Sequence, residues 1–379
     1  MKKLAALILA LVMCLSLAAC SGDGSKETQK PSSNPGGSQT ENPGTTEKSF
    51  DEYTLADWEA YADTQDAKHK VLYIPSWAAS EYFQNSYAAW KKQFEALGWE
   101  LEMQGPKEYT PDSQLGVLES ALIAQQYDAI ILYPIAPDAF AAVKDELWDT
   151  YHTPIIVWGM AEETACGNYY LMNADRYKLV GDYMAKMILD YVDGEKDYFS
   201  KYDGQGIPVT VFGSANNPMQ NARVVRAVEL LEADGRFKVV ENYENVQDDK
   251  CLEYAESMLL NHPETEIIVA YNDVLGLYIE AALNETSVKF SDHLRLFGSD
   301  GINAARASMA SGKSYFGGTV MSNHTFIGDE IIYTCKVGIP AAKKGYLVDG
   351  ITARNVDIFV NGENSICVTP ANVADYPVE

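Results

Sequence analysis

Basic residues are scarce in this chain. Lysine and arginine number 29 against 54 aspartates and glutamates, a formal net charge of −25. That shortage excludes a nucleic-acid partner, because phosphate binding needs a positive surface. It also excludes polybasic docking to a membrane. Histidine is rarer still. His69, His152, His262, His293 and His324 are scattered and make no H-E-x-x-H pair, which leaves a zinc hydrolase of that class unsupported. There is no G-x-S-x-G elbow, no P-loop, and no G-x-G-x-x-G following a strand. Carboxylates are plentiful, yet their spacing singles out no glycosidase pair. The sequence calls for no enzyme activity, metal or cofactor.

Cysteine is also sparse. Four lie in the body of the chain, Cys166, Cys251, Cys335 and Cys367, and none forms a C-x-x-C pair. That argues against zinc. Three complete disulfide pairings and a set of buried free thiols all remain open.

What is present at the start reads as an export signal. Lys2 and Lys3 precede the apolar run LAALILALVMCLSLAA, and Cys20 follows Leu17-Ala18-Ala19. The run is short and ends in small residues, as a cleaved signal does, so a transmembrane anchor is the weaker reading. The stretch resembles a bacterial lipoprotein signal with its lipobox. The resemblance implies a signal peptide over 1–19 and lipidation of Cys20 at the outer face of the cytoplasmic membrane. Residues 20–49, rich in Ser, Gly, Pro and Thr, cannot bury a core and are expected to form a disordered tether. An acidic lead-in follows over 50–67.

From residue 71 apolar runs alternate with helical patterns. VLYIPSW (71–77) reads as a strand. Phe83, Tyr87, Trp90, Phe94 and Leu97 then mark one apolar helix face, stopped by Gly98. WELEMQG, a helix over about 111–126, AIILYP (129–134), a helix from about Pro137, and TPIIVWG (153–159) complete a βαβαβαβ series. NYYLMNAD (168–175) breaks the rhythm, with Asp175 placed as a helix cap. A second series follows: PVTVFG (208–213), a helix over about 218–231, FKVVENY, a helix over about 248–260, EIIVAYN, a helix, LRLFGSD, a helix and YFGGTVM (315–321). The expectation is an α/β fold of two Rossmann-like lobes, each with a parallel sheet covered on both faces.

Open parallel sheets bind ligands beyond the carboxyl ends of their strands. Ser76-Trp77, Gly213-Ser214-Ala215, Asn272-Asp273 and Asp300 lie at such ends. Asp273 suits a helix cap. Asn272 and Asp300 stand one step earlier, where a ligand contact is the better reading.

The order of parts resembles the type I periplasmic sugar-binding proteins, the ribose/galactose-binding group that shares its fold with LacI-type repressor cores. The blocks that carry it are SWAASEYF (76–83), AQQYDAIILYPIAPDAF (124–140), TPIIVWG, MNAD (172–175), HPETEIIVAYND (262–273), LRLFGSDG (294–301) and GGTVMSN (317–323). A repressor is excluded, since no basic helix-turn-helix precedes the core. The resemblance implies lobe one over 68–173 plus 323–350 and lobe two over 175–319 plus 355–379. It places a three-segment hinge near Asn173, Ser322 and Ala353 and a ligand between the lobes. It carries pocket roles onto Ser80, Tyr82, Phe83, Asn272 and Asp300. Of a pair of pocket arginines it finds Asn221 and Arg223, so one basic residue is kept. An Asp-Arg pair falls at Gly159-Met160, and a hinge glutamine at Ser322.

These residue types suit a sugar. Tyr82, Phe83, Trp77 and Trp158 offer flat apolar surface to the C–H faces of a ring. Asn272 both donates and accepts, Asp300 accepts, and Arg223 donates while offsetting the aspartate. The implied protein is a monomeric, lipid-anchored receptor that hands a small polar ligand, a monosaccharide or sugar-like metabolite, to an ABC permease. A receptor that docks a membrane sensor kinase is the alternative. A hinged glycosidase is a third and weaker reading, since it needs a positioned acid and base.

Overall fold

The computed structural model describes residues 48–65, 67–160, 162–171, 174–215, 218–244, 246, 250–352, 360–361 and 364–378. The expected signal, Cys20, most of the tether, and the hinge positions Asn173 and Ala353 lie outside the described residues, as do the side chains of Asp175 and Cys251.

The first series folds as α1 (Leu55–Asp63), β1 (Lys70–Ile74), α2 (Glu81–Ala96), β2 (Glu100–Met103), α3 (Pro111–Ala124), β3 (Ala129–Leu132), α4 (Pro137–Ala141), α5 (Lys144–Tyr151), β4 (Ile155–Val157) and β5 (Tyr169–Tyr170). Its five strands pair in the order β2-β1-β3-β4-β5, all parallel. The second contains α6 (Ala174–Gly194), α7 (Lys196–Phe199), β6 (Ile207–Phe212), α8 (Pro218–Asp234), β7 (Phe237–Tyr243), α9 (Cys251–Asn261), β8 (Ile267–Ala270), α10 (Asp273–Glu285), β9 (Arg295–Asp300), α11 (Asn303–Ala310) and β10 (Phe316–Met321). Here β7-β6-β8-β9-β10 repeats the same order. A last strand, β13 (Cys367–Val368), is added antiparallel beside β10. Between them lie α12 (His324–Ala342) and a small pair, β11 (Val360–Asn361) with β12 (Asn364–Ser365). The fold is thus two lobes, each with its own sheet. In each, strand order reverses once, between β1 and β3 and between β6 and β8. Such a reversal opens a crevice at the carboxyl ends of the strands.

The central strands are buried along their whole length, as their continuous apolar runs require. The α2 face is buried at Phe83, Trp90 and Phe94, but Leu97 is 50% exposed. Leu97 belongs to the chain reversal, not to the apolar stripe, because Gly98 takes φ +69° immediately after it. The region after Pro137 breaks into two short helices instead of one.

The acidic lead-in is structured. A capping box between Thr54 and Asp57 starts α1. Trp58 is buried and stacks on Phe50, with Tyr53, Tyr61 and Tyr346 around it. Lys336 pairs with Asp63 at 2.6 Å and Tyr333 donates to Glu59, so α1 is fastened to α12. Cys166 and Cys335 are buried free thiols, both pushed up by burial.

α12 returns from the second sheet to pack on α2 of the first lobe. Trp90 donates its indole N–H to the His324 carbonyl at 2.8 Å, and the His324 ring meets the Ser86 hydroxyl at 3.1 Å. Burial, with Arg306 nearby, lowers the half-buried His324 to about 4 from 6.5. The unfolded chain therefore binds the proton more readily. Stability is complete above about pH 6.5 and falls as pH drops toward about 4, by about 1–3 kcal/mol. Urea unfolding at pH 7 and pH 4.5 is expected to show this loss in the wild type and a smaller one in His324→Asn. An equal acid loss in both would assign it to other groups.

Candidate functional site

The crevice of the first lobe is built at the ends of β1 and β3. Gln114 on α3 is completely buried there. Its amide donates to Pro75 O at 3.0 Å and Tyr133 O at 2.8 Å, and its oxygen accepts from Ile135 N at 2.8 Å. One side chain thus fixes both strand ends, and with them the loop carrying Ser76, Trp77 and Ser80. That loop starts α2, whose first turn presents Tyr82 and Phe83. Ser80 occupies the N-cap position but its side chain makes no cap bond.

The aromatics divide. Trp158, following β4, is 1% exposed and stacks on Tyr82 at 5.8 Å and 19°. Phe83 is buried edge-on against Tyr133 and Trp158. Tyr82 lies half-buried above this floor. Trp77 instead stands 38% exposed on the lip, beside Tyr109 at 6.1 Å.

On the second lobe the centre is an ion pair. Arg223 on α8 is 3% exposed and Asp300 at the end of β9 is 8% exposed. The guanidinium donates from one Nη to Asp300 Oδ1 at 2.8 Å, Ser299 Oγ at 2.7 Å and Tyr271 O at 3.3 Å. Helix α6 supports it from behind. Gly181 allows α6 to approach so closely that an added Cβ would meet Arg223 O at 2.3 Å. This brings the Tyr177 ring 5.1 Å from the guanidinium. Burial works against the charge of Arg223, but Asp300 and the surrounding tyrosines outweigh it, and it stays protonated. Burial raises the Asp300 carboxyl, and Arg223 pulls it back. Asp300 has φ +106°, a conformation that favours glycine, so the strand end is strained where the carboxylate is presented.

The two lobes meet over this pair. Burial raises the Tyr82 phenol, and the negative charge of Asp300 raises it further. Tyr133 is also raised by burial, against the pull of Arg223 and of hydrogen bonds with Tyr177 and Gln220. The Tyr82 hydroxyl lies 3.2 Å from Ser322 Oγ, and Ser322 N–H donates to Asp300 O at 3.4 Å. Buried Ser322 thus lies between Tyr82 and the backbone of Asp300, where the chain leaves β10 for α12.

The structure therefore brings together Tyr82, Phe83, Trp158, Arg223, Asp300 and Ser322. Asn272 has a structural duty that its sequence position did not reveal. It is the N-cap of α10, with Oδ1 accepting from Leu275 N at 2.9 Å. Asp273, expected as the cap, is completely buried and binds Thr319 Oγ1 and Ile302 N. The cap falls on Asn272 because β8 ends at Ala270 and the first helical residue is Asp273. Asn221 spends its oxygen on Ser214 N at 3.0 Å, which pins the loop after β6. Gly159 has φ +79°, and a Cβ there would meet the Tyr133 ring at 2.0 Å, so no side chain projects from that position.

Tyr133 and Tyr177 were not singled out in the sequence. Tyr133 carried a signal, since it directly follows the apolar run AIIL at a strand end. Tyr177 carried none: it is one apolar position among many on a long helix.

The model of the periplasmic binding protein domain matches residues 71–337, well over half of the chain. No curated protein matches. Similar solved structures include an ABC transporter solute-binding protein from Burkholderia graminis C4D1M in complex with D-arabinose. It is 18% identical with a TM-score of 0.65, over 83% of this chain and 99% of that one. One from Actinobacillus succinogenes 130z with bound D-allose is 17% identical, TM-score 0.63, over 82% and 100%. A sugar ABC transporter sugar-binding protein from Bacillus halodurans gives 17% and 0.64 over 82% and 100%. At such identities the likeness is one of fold.

Proposed function

The chain belongs to the periplasmic binding protein domain family, and from that premise we propose that it is a lipid-tethered receptor that closes on a neutral sugar and delivers it to an ABC permease. The family is one of binding proteins, not enzymes. The observation that carries the sugar reading is the buried Arg223–Asp300 pair facing Tyr82 and Tyr133 of the other lobe. Its two charges cancel, so it offers donors and acceptors to hydroxyls without favouring an anion. Tyr82, stacked on the buried Trp158, supplies apolar ring surface beside it. Contacts made only when both lobes touch the ligand would shift the protein toward closure. The lobe boundaries read from the sequence, a signal over 1–19 and a lipid on Cys20 belong to the same proposal. The outer face of the cytoplasmic membrane is then its place.

Isothermal titration of the soluble body tests the reading. Pentoses and hexoses, D-arabinose and D-allose among them, are set beside sugar phosphates. One-to-one binding of a neutral sugar is expected, and heat from no sugar would overturn the proposal. Asn272→Ser adds a finer arm. Serine caps α10 nearly as well as asparagine, so unfolding should change by less than about 0.5 kcal/mol. Loss of the amide N–H donors should weaken binding about tenfold. Unchanged affinity would reduce Asn272 to a cap.

A further inference from the structure

Apart from the polar residues at the strand ends, a set of side chains reaches directly from one lobe to the other. Tyr177 belongs to the second lobe, since α6 packs on α8, β9 and β10. Its hydroxyl donates to Gly159 O in the first lobe, at the end of β4, and it also hydrogen-bonds Tyr133. Tyr177 is 1% exposed, and burial keeps its phenol protonated and able to donate. A second contact lies between the helices that start each lobe's rim. Asn303 Nδ2 at the head of α11 donates to Asn85 Oδ1 on α2 at 3.4 Å. Asn303 is itself held by Arg306, which is buried and also grips Gly301 O at 3.0 Å, Tyr376 O at 2.8 Å and Pro377 O at 2.7 Å. The rim contact therefore starts from a rigid base.

We propose that Tyr177 is a positioning residue that latches the lobes shut, with Asn85–Asn303 as a weaker clasp at the rim. Two features make the latch specific. Gly159 has no side chain, so its carbonyl is open to a phenol arriving from the opposite lobe, and the Tyr133 ring fills the space a Cβ would take. The ring that carries the latching hydroxyl also packs on Arg223. That packing lies within the second lobe, so the latch leaves from the same helix that backs the guanidinium. Opening would strip a buried carbonyl and a buried hydroxyl of each other. The latch biases the open–closed equilibrium whatever occupies the cleft, and stands even if the sugar reading fails. Removing one buried hydrogen bond of this kind shifts a two-state population about tenfold.

Small-angle X-ray scattering of the full body without added ligand tests this. The wild type is expected to fit the closed form. Tyr177→Phe keeps the ring and loses the hydroxyl, and its radius of gyration should rise by about 1 Å as open molecules appear. Asn85→Ala, at a half-buried helix position, should shift the same way by less and keep the wild-type unfolding midpoint. Tyr278→Phe, on the exposed face of α10, should change nothing. A Tyr177→Phe curve that superimposes on wild type while its stability falls would make Tyr177 merely structural and overturn the proposal. So would a wild type that scatters as the open form.

Discussion

Asp300→Ala is expected to lower unfolding free energy by about 3–5 kcal/mol and to abolish sugar binding. The stability loss comes from Arg223, not from the aspartate. Arg223 is 3% exposed and cannot turn outward, because α6 packs behind it and the Tyr177 ring covers it. Without Asp300 the guanidinium remains buried and loses its counter-charge, with the neutral acceptors Ser299 Oγ and Tyr271 O left in place. Two further substitutions separate charge from backbone. Asp300→Asn keeps an oxygen for Arg223 and removes the counter-charge, and should recover less than half of the loss. Asp300→Gly also removes the charge but relieves φ +106°, and should be more stable than the alanine variant by about 1–2 kcal/mol. Guanidinium unfolding of the four proteins reads all of this. If alanine costs under 1 kcal/mol, the pair is solvated and its place at the heart of the cleft is wrong. Binding should fall at least a hundredfold in every variant, since the carboxylate is the strongest acceptor facing the other lobe.

The fold was readable because parallel strands buried on both faces write themselves as unbroken apolar runs. VLYI, AIIL, IIV and IIVA all became central strands where they were expected. The repeated strand order of the two sheets then placed the strand ends at two facing crevices, which is why Asp300 could be found by position alone. Side-chain duties were less readable. A strand-end asparagine looks the same in sequence whether its oxygen serves a ligand or a helix N–H. Asn272 serves the helix because Leu275 N has no earlier carbonyl to meet. Arg223 looks like a surface residue on an amphipathic helix until Gly181, far away in sequence, lets another helix cover it. Trp77 and Trp158 both follow strands, yet one is exposed and one buried. The difference is local: Trp77 begins a loop that swings out past β1, whereas Trp158 is held by Leu132 O on the neighbouring strand and points into the aromatic layer.

That buried tryptophan supports the other large effect. Trp158→Ala is expected to destabilise the protein by about 3–5 kcal/mol, because five aromatic side chains close around the indole and leave a cavity when it goes. Trp90 lies at 5.0 Å, Tyr133 at 5.2 Å, Tyr82 at 5.8 Å, Phe83 at 6.2 Å and Tyr73 at 6.3 Å between ring centroids. These rings belong to β1, α2 and the end of β3, so the layer under the cleft is also the core of the first lobe. Trp158→Phe should cost less than half as much, since a phenyl ring keeps the stack under Tyr82 and shrinks the cavity. The two substitutions make different demands on binding. If Trp158 only supports Tyr82, affinity should follow stability, with phenylalanine near wild type and alanine weak. If the indole also contacts the ring of a bound sugar, phenylalanine should lose affinity out of proportion to its small stability change. Thermal unfolding and titration of both variants against the same sugar decide between support and contact. An alanine variant as stable as the wild type would mean that the aromatic layer is not packed as described and that the cleft has a different floor.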